Sequence, residues 1–369
     1  MKFYCDTEKL NSALNLVSRA VENSAVSPHL EGVLLEASGG SLTLKGNNME
    51  IAIETAIPSN VADDGAIVVN CKMLLDIVKR LPKDVVEIFV NDKNNVSINC
   101  LNSDYMVVGL PAEEYPDIPS VEPECEIKIA SPVLKDMINK TIFAVSTNPD
   151  EVRKVLKGSL FEVEGGDLTV VSVDLVRLAM IKKPIENQVG ETVKFIVPGK
   201  TLNDLKSMLK DDEENIVKIS VAKNQALFDC GGFRLTTRLI DGEYFNYKQI
   251  IPRQFKVEFT VEGRSFIKTI ERVEPIIDDI SKNPIKLTFV DGRIKVKCET
   301  QLGRVNDMVE CGYNEEEMTI GFNYRYIHDA VVRCEDEQIE FKMNSPLNPI
   351  IIDCPEDESY MFMVLPVRL

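Results

Sequence analysis

Two groupings in this chain have the residue types for acid–base work. Asp174 stands three positions before Arg177, and Asp241 stands two before Glu243. A pair of carboxylates could hydrolyse a sugar or nucleic-acid bond, one acting as acid and the other as base. Neither grouping lies in a recognised catalytic pattern, since the sequence has no P-loop, no Gly-x-Ser-x-Gly and no His-Glu-x-x-His. With 59 Asp and Glu residues, neighbouring carboxylates are expected from composition alone. Only His29 and His328 are histidines, and the nine cysteines are scattered without a Cys-x-x-Cys. That spacing argues against a zinc cluster or a disulfide scaffold and for a reducing cytoplasm. The residues therefore give no catalytic centre, no metal and no cofactor, and binding is the chemistry left to examine.

Charge is the next clue. The net charge of -17 repels phosphate if it is spread evenly. It is not spread evenly. Windows with helical spacing at 7–23, 71–83, 131–147, 199–210, 263–278 and 323–333 carry 0, +3, +1, +2, 0 and +1. Base-bearing helices thus sit on an acidic body. Exposed helix faces often carry such bases only as solvated charge, so their placement decides what they mean.

The elements that place them are written three times. "LEGVLLEASGGSLTL" at 30–44 recurs as "LKGSLFEVEGGDLTV" at 156–170, with eight of fifteen positions identical. The turn Gly39-Gly40 recurs as Gly165-Gly166 and then as Asp291-Gly292, a two-residue hairpin signal in which both centre residues can take φ > 0. Leu42, Leu168 and Ile294 keep register, as do Leu44, Val170 and Val296. Short strands "MKFYCD", "CEIKIAS" and "FKVEFTV" open the repeats, each followed by a helical pattern. In the first, Leu10, Ala13, Leu14 and Val17 make one apolar stripe, and Thr7 and Ser131 are the expected N-caps of the first two. A second strand–helix module follows in each repeat, with a base and an acid four apart at Lys72/Asp76, Lys200/Asp204 and Arg325/Asp329. Cys100, Cys230 and Cys354 fall at matching strand ends and read as small buried hydrophobes. The spacing predicts an α+β chain of three tandem domains, each of two strand–helix–three-strand units, with helices on one face of antiparallel sheets. Proline-marked stretches at 114–124 and 250–254 set the domains at 1–120, 125–251 and 252–369. No apolar run reaches the roughly 18 residues of a membrane span, and the first residues lack the apolar stretch of a signal peptide.

The whole chain resembles the bacterial DNA sliding clamps, the beta subunits of DNA polymerase III. The likeness is carried by "MKF", "LVSRAV", "GGSLTL", "DEVRKVLKGSLFEVEGGDLTVVSVDLVRLAM", "RLIDGEYFNY", "IGFNYRYI" and "MVLPVRL", in that order. It implies the DNA-clamp fold and a head-to-tail homodimer that closes a six-domain ring around duplex DNA. Helices would line the hole, and the acidic exterior would turn DNA away. Such a clamp does no chemistry. It would slide without base readout at the nucleoid, and would dock the replicative polymerase, clamp loader and repair polymerases through short peptides. A protein-only scaffold with the same fold, or a carboxylate-based hydrolase, is the alternative.

The resemblance also implies sites. A pocket for peptides with a Gln and a Leu-x-Phe-like end would be walled by Arg153, Val155, Leu156, Val173, Leu175, Val176, Arg177 and Leu178. Phe245, Gln249, Ile250, Asn323, Tyr326, Pro346 and Asn348 would join them, and the tail would add Met363, Leu365, Pro366, Val367 and Arg368. Where the family usually has Thr-Asp-Gly-His-Arg-Leu, this chain reads "VDLVRL", so Leu175-Val176 replaces Gly-His and Val173 replaces Thr. Phe245 replaces a usual Pro and Gln249 a frequent Arg. Fewer hydrogen-bonding groups and more bulk imply an altered peptide preference and a narrower groove. The DNA-facing bases would be Lys72, Lys79, Lys135, Lys140, Lys200, Lys206, Lys268, Arg272 and Arg325. The loop "NSAVSPHL" and Gly199-Lys200 carry fewer bases than is usual in the family. At the ring seam, Tyr105 and Val107 would meet a third domain near Ile276, beside an unusual Pro275.

Overall fold

The computed structural model describes residues 1–22, 27–118, 120–277, 284–334 and 338–369. The chain packs as two compact units, Met1–Leu134 with Asn203–Leu239, and Lys135–Leu202 with Ile240–Leu369. Three repeats give two units because one sheet in each unit joins strands of successive repeats.

In the first unit a five-stranded antiparallel sheet runs in the order Asn60–Asp63, Lys2–Asp6, Val85–Val90, Asn95–Cys100, Ser103–Val108. The short strand Asn60–Asp63 is an addition that the repeat pattern does not announce. A second sheet has eight strands, in the order 65–70, 32–38, 41–47, 51–58, 234–238, 225–229, 216–221, 125–130. Its join is the ladder between Ile51–Pro58 and Arg234–Arg238, in register Arg234↔Glu54 to Thr237↔Ile51.

The second unit repeats that order inside fewer, longer strands. Gly158–Val173 and Arg177–Pro198 are continuous as elements. Yet the hydroxyls of Ser159 and Ser172 lie 2.7 Å apart, whereas thirteen extended residues would span about 43 Å. The chain therefore doubles back at Gly165-Gly166, where Gly165 has φ +61. The arms 158–163 and 167–173 pair with 193–198 and 178–184, and 177–181 pairs with Asp357–Val364. Ile350–Cys354, Gln338–Met343 and Val257–Glu262 complete the sheet. A four-stranded sheet follows in the order Gly303–Glu310, Arg293–Thr300, Ile285–Val290, Met318–Phe322. Both centre residues are left-handed at Gly39-Gly40 and at Asp291-Gly292, but only the first of the pair at Gly165-Gly166.

Seven helices are described: α1 Thr7–Val17, α2 Cys71–Val78, α3 Ser131–Thr141, α4 Gly199–Met208, α5 Tyr247–Ile250, α6 Gly263–Glu271 and α7 Tyr324–Val331. The stripe Leu10, Ala13, Leu14 and Val17 is buried as the spacing predicts, and each large member contributes about 1.5–3 kcal/mol by leaving water. The expected cap at Thr7 is corrected. Asp6 caps α1 by accepting from Lys9 N. Thr7 is the first helical residue, and its hydroxyl donates to Pro82 O at 3.0 Å. Ser131 likewise begins α3 and donates to Lys210 O at 2.8 Å. Each hydroxyl ties the start of its helix to the second module of the same repeat, a long-range role that local spacing cannot reveal. Cys100, Cys230 and Cys354 are buried, and burial pushes the Cys230 thiol up to about 12. Among the described residues no helix is long and apolar enough to cross a membrane, and no cluster of potential metal ligands is present.

Candidate functional site

The turn between Val173 and Arg177 is built around one carboxylate. Asp174 Oδ1 accepts from Val176 N at 3.2 Å and from Arg177 N at 3.1 Å, which closes the turn. Its Oδ2 takes Arg177 Nε at 2.8 Å, and Arg177 Nη1 reaches Asp329 Oδ2 at 2.6 Å. The guanidinium lies 4.6 Å from the Tyr326 ring and 5.4 Å from Phe143, so Arg177, 9% exposed, is held by charge and by aromatic faces. Arg333 stacks on Phe143 at 4.5 Å and donates to Asn139 O. Asp174 is thus committed to structure rather than to acid–base work. Leu175 has φ +79 and stands exposed. A left-handed conformation costs a side-chain-bearing residue about 1–2 kcal/mol, which gives a physical reason for the usual glycine at this place.

The C-terminal tail meets this turn. Leu365 N donates to Val176 O at 2.8 Å, and Val367 N to Gly321 O at 2.9 Å. A Cβ on Gly321 would come 2.6 Å from Leu369 Cδ2 and 2.9 Å from Val367 O, so the tail needs glycine there to lie so close. Leu156, Val173, Leu178 and Met363 are buried in one apolar cluster with Tyr247, while Val155 and Leu365 lie at its edge. Four expected wall residues are therefore the packed floor. Phe245, Gln249 and Ile250 are exposed at α5. Arg153 is fixed by Glu151 through Nε at 2.8 Å and Nη2 at 3.1 Å, with its guanidinium 6.0 Å from the Phe245 ring. Asn323 spends its side-chain oxygen on capping α7, accepting from Arg325 N at 2.9 Å. Pro366 is half-buried and Arg368 exposed. Pro346 and Asn348 stand on a separate exposed turn whose bonds are internal, Ser345 Oγ to Asn348 Oδ1 at 2.6 Å among them.

The residues that organise the site but escape a reading of spacing are Phe143, Glu162 and Tyr247, and Asp329 is picked out there only beside Arg325, not with the Arg177 and Arg333 that it pairs. Glu162 is buried and ion-paired with Lys248 at 3.0 Å and Lys194 at 3.1 Å, and it accepts from the Tyr247 hydroxyl. Burial alone would push its carboxyl up, but the bonds from Tyr247, Lys248 and Lys194 outweigh that and hold it below the ordinary range. An acid-before-base pattern gives the Asp329 pairing with Arg333. The helices pair Asp76 with Arg80, Asp136 with Lys140 and Asp329 with Arg333, the order that favours the helix dipole. The base-before-acid pairs of the sequence reading are not among these.

The basic helices carry their charges unequally. Lys72 on α2, Lys79 at its C-terminal cap, Lys200 on α4, Lys268 on α6 and Arg325 on α7 are exposed. Lys135 and Lys206 are half-buried. Arg272 is exposed but holds Asp307 at 2.5 Å, and that bond raises its already high pKa. Lys140 departs from expectation: it is 7% exposed, pairs with Asp136 at 2.8 Å and lies 5.0 Å from the Tyr360 ring. Helical phase turns it inward, so it is no open phosphate contact. The loop "NSAVSPHL" lies partly outside the described residues. At the sheet edge, Val107 is buried while Tyr105, Met106 and Val108 are exposed. Ile276 is half-buried, and its carbonyl accepts from Thr300 Oγ1 at 2.9 Å.

Family models describing the N-terminal, central and C-terminal domains of the DNA polymerase III beta subunit match residues 1–119, 128–246 and 248–368 in turn. The chain belongs to the DNA polymerase III beta-subunit family. It is 33% identical over 381 residues to the beta sliding clamp of Halalkalibacterium halodurans, with 100% of both chains covered. To that of Bacillus subtilis it is 30% identical over 379 residues, again with 100% of both covered. Among solved structures, the DNA polymerase sliding clamp from Bacillus subtilis superposes with a TM-score of 0.95 at 29% identity, covering 100% of this chain and 99% of the other. The sliding clamp from Pseudomonas aeruginosa bound to griselimycin gives 0.94 at 27%, with 100% of both covered. This beta subunit is therefore three tandem clamp domains of mixed α and β structure with antiparallel sheets, as the repeats predict.

Proposed function

We propose that this beta subunit is a DNA polymerase processivity factor: it closes head-to-tail with a second copy into a ring around duplex DNA and slides without reading bases. The domains are taken as 1–120, 125–251 and 252–369. The observation that carries the reading is the end-to-end family match on a chain with two edge strands that, among the described residues, pair on one side alone. Ser103–Val108 and Gly303–Glu310 each end a sheet. By the repeat they hold the places that Arg234–Arg238 and Ile51–Pro58 hold in the internal ladder Thr237↔Ile51. Joined in the same register between two copies, Val107 lies opposite Gly303, Met106 opposite Arg304 and Tyr105 opposite Val305. The apolar exposure fits this, with Met106 and Val108 71% and 75% exposed on one edge and Leu302 and Met308 67% and 54% on the other. Ile276 stands beside that second edge, 3.5 Å from where a Cβ of Gly303 would lie.

The exposed bases on α2, α4, α6 and α7 are the DNA-facing set. Phosphate contacts of this kind hold a duplex but fix no register, because they read no base edge. The acidic remainder of the chain discourages binding elsewhere. The ring works in the cytoplasm at the nucleoid, needs no cofactor and catalyses nothing.

Partners dock by short peptides in the groove over Leu156, Leu178 and Met363. Its walls are Val155, Leu175, Val176, Leu365, Pro366 and Val367, with Phe245 and Ile250 at the mouth. A peptide anchored by Leu and Phe suits an apolar groove, and the bulk of Leu175, Val176 and Phe245 narrows the choice. Primer extension on a single-stranded circle tests the function. With a cognate loader, this protein lengthens the product of each polymerase binding event. Unchanged product length contradicts the reading.

A further inference from the structure

Beside the groove, in the same unit, lies a recess of about 370 Å³. Its floor is Met180, Tyr247 and Ile251. Tyr247 belongs to the buried cluster of Leu156, Val173, Leu178 and Met363, and the other two pack against it. The recess is therefore continuous with the apolar floor assigned to the docked peptide. Its rim differs in chemistry. Lys182, Lys248 and Arg253 stand around it, together with Glu164 and Asp167.

The charges do not cancel. Asp167 is taken by Lys182 at 2.7 Å. The buried Glu162 beneath takes both Lys248 and Lys194, so one carboxylate answers two cations. Arg253 has no ion-pair partner among the described residues. Four cations thus face three carboxylates, on a chain whose net charge is -17. Tyr247 and Lys248 are also held in place by Glu162, so this part of the rim is fixed before anything binds.

We infer that the recess receives an acidic residue flanking the apolar core of a docked peptide, with Arg253 as its principal contact. This rests on the peptide-docking reading above. Guanidinium and carboxylate match as a fork, the apolar floor takes the stem of the acidic side chain, and the excess of cations around the rim disfavours a basic one. The structure thus adds a charge preference to a groove that is otherwise apolar.

The test uses the full-length protein and fluorescent peptides sharing one Gln- and Leu-x-Phe-containing core. The core is flanked at either end by Asp-Glu, Ser-Gly or Lys-Lys, and binding is read by anisotropy. At about 50 mM salt the acidic flank at one end binds about threefold to fivefold tighter than Ser-Gly. That advantage is lost at high salt and in Arg253→Glu, while the Ser-Gly peptide binds wild type and variant alike. Equal affinity for acidic and neutral flanks at both ends overturns this inference and leaves the groove intact. So does an advantage that survives Arg253→Glu. Failure of the core peptide itself to bind overturns the groove and the inference together. A loss in Arg253→Glu confined to a single-stranded oligonucleotide, with flank discrimination unchanged, assigns the recess to nucleic acid instead.

Discussion

Two corners of the molecule share one backbone device and dress it differently. In the first unit the corner is Asn47–Ile51, and in the second it is Val173–Arg177, one repeat later. Each sets a bulky residue left-handed, Met49 at φ +71 and Leu175 at φ +79. Each uses the preceding side chain as acceptor. Asn48 Oδ1 takes Glu50 N at 3.0 Å and Ile51 N at 2.9 Å, as Asp174 Oδ1 takes Val176 N and Arg177 N. Each is met by a backbone bond, from Arg238 N to Glu50 O at 2.9 Å and from Leu365 N to Val176 O at 2.8 Å. A tyrosine braces each, Tyr115 on Lys45 O and Tyr244 on Val171 O. The side chains then part. Asn47 donates to Pro116 O at 3.3 Å and binds the connecting segment to the first corner. Val173 has no such donor, and the matching segment turns into α5 and anchors on Glu162. Ile51 is simple core, whereas Arg177 links two carboxylates. The shared backbone serves the fold, and the departures mark where the proposed docking groove lies.

The sharpest way to break this comparison is Arg177→Ala. It leaves Asp174 and Asp329 without their shared cation and lowers stability by about 3 kcal/mol, read by urea denaturation. A loss under 1 kcal/mol would show that the ion-paired hub does not hold the second corner. Leu365→Ala weakens binding of a Leu-x-Phe peptide by about tenfold, the ~1.4 kcal/mol of a truncated contact, and leaves the dimer intact. Arg238→Ala, its counterpart at the first corner, leaves that affinity unchanged. Equal losses in the two variants would remove the functional distinction between the corners.

Acid titration separates the anchors. The Glu162 carboxyl lies below its ordinary range, so its contribution is full at neutral pH and is lost as pH falls through that lowered value. Wild type therefore loses more stability between about pH 5 and pH 3 than Glu162→Gln does, and parallel curves would contradict the assignment. The counterpart variant Glu36→Gln, at a half-buried residue whose one carboxylate oxygen meets Lys45 at 2.7 Å, is the control. The smallest effects are the left-handed residues. Leu175→Gly and Met49→Gly each relieve strain and gain about 0.5–1 kcal/mol net of glycine's chain entropy. Only Leu175→Gly changes peptide affinity. Destabilisation by both would refute the strain.

Much of this architecture was legible in the sequence because it is written three times in register. The hairpins at Gly39-Gly40 and Asp291-Gly292, the stripe on α1 and the segregated bases all follow from local pattern. Lys140 was misplaced because spacing gives a helix but not its phase against a neighbouring sheet. Thr7 was read as a cap because its partner, Pro82, is 75 residues away in sequence. The Arg177 hub joins residues 152 apart, and no local rule connects them. Leu175 was legible only as a substitution. That its position is left-handed is a property of the backbone, and the usual glycine was the one sign of it.

The central claim is topological, and one measurement addresses it directly. The protein is loaded with a clamp loader onto nicked circular DNA, freed of unbound material by gel filtration, and the circle is then cut once with a restriction enzyme. A closed ring stays with the intact circle through moderate salt and is released when the DNA becomes linear. Retention that is the same on circular and linear DNA would contradict the ring.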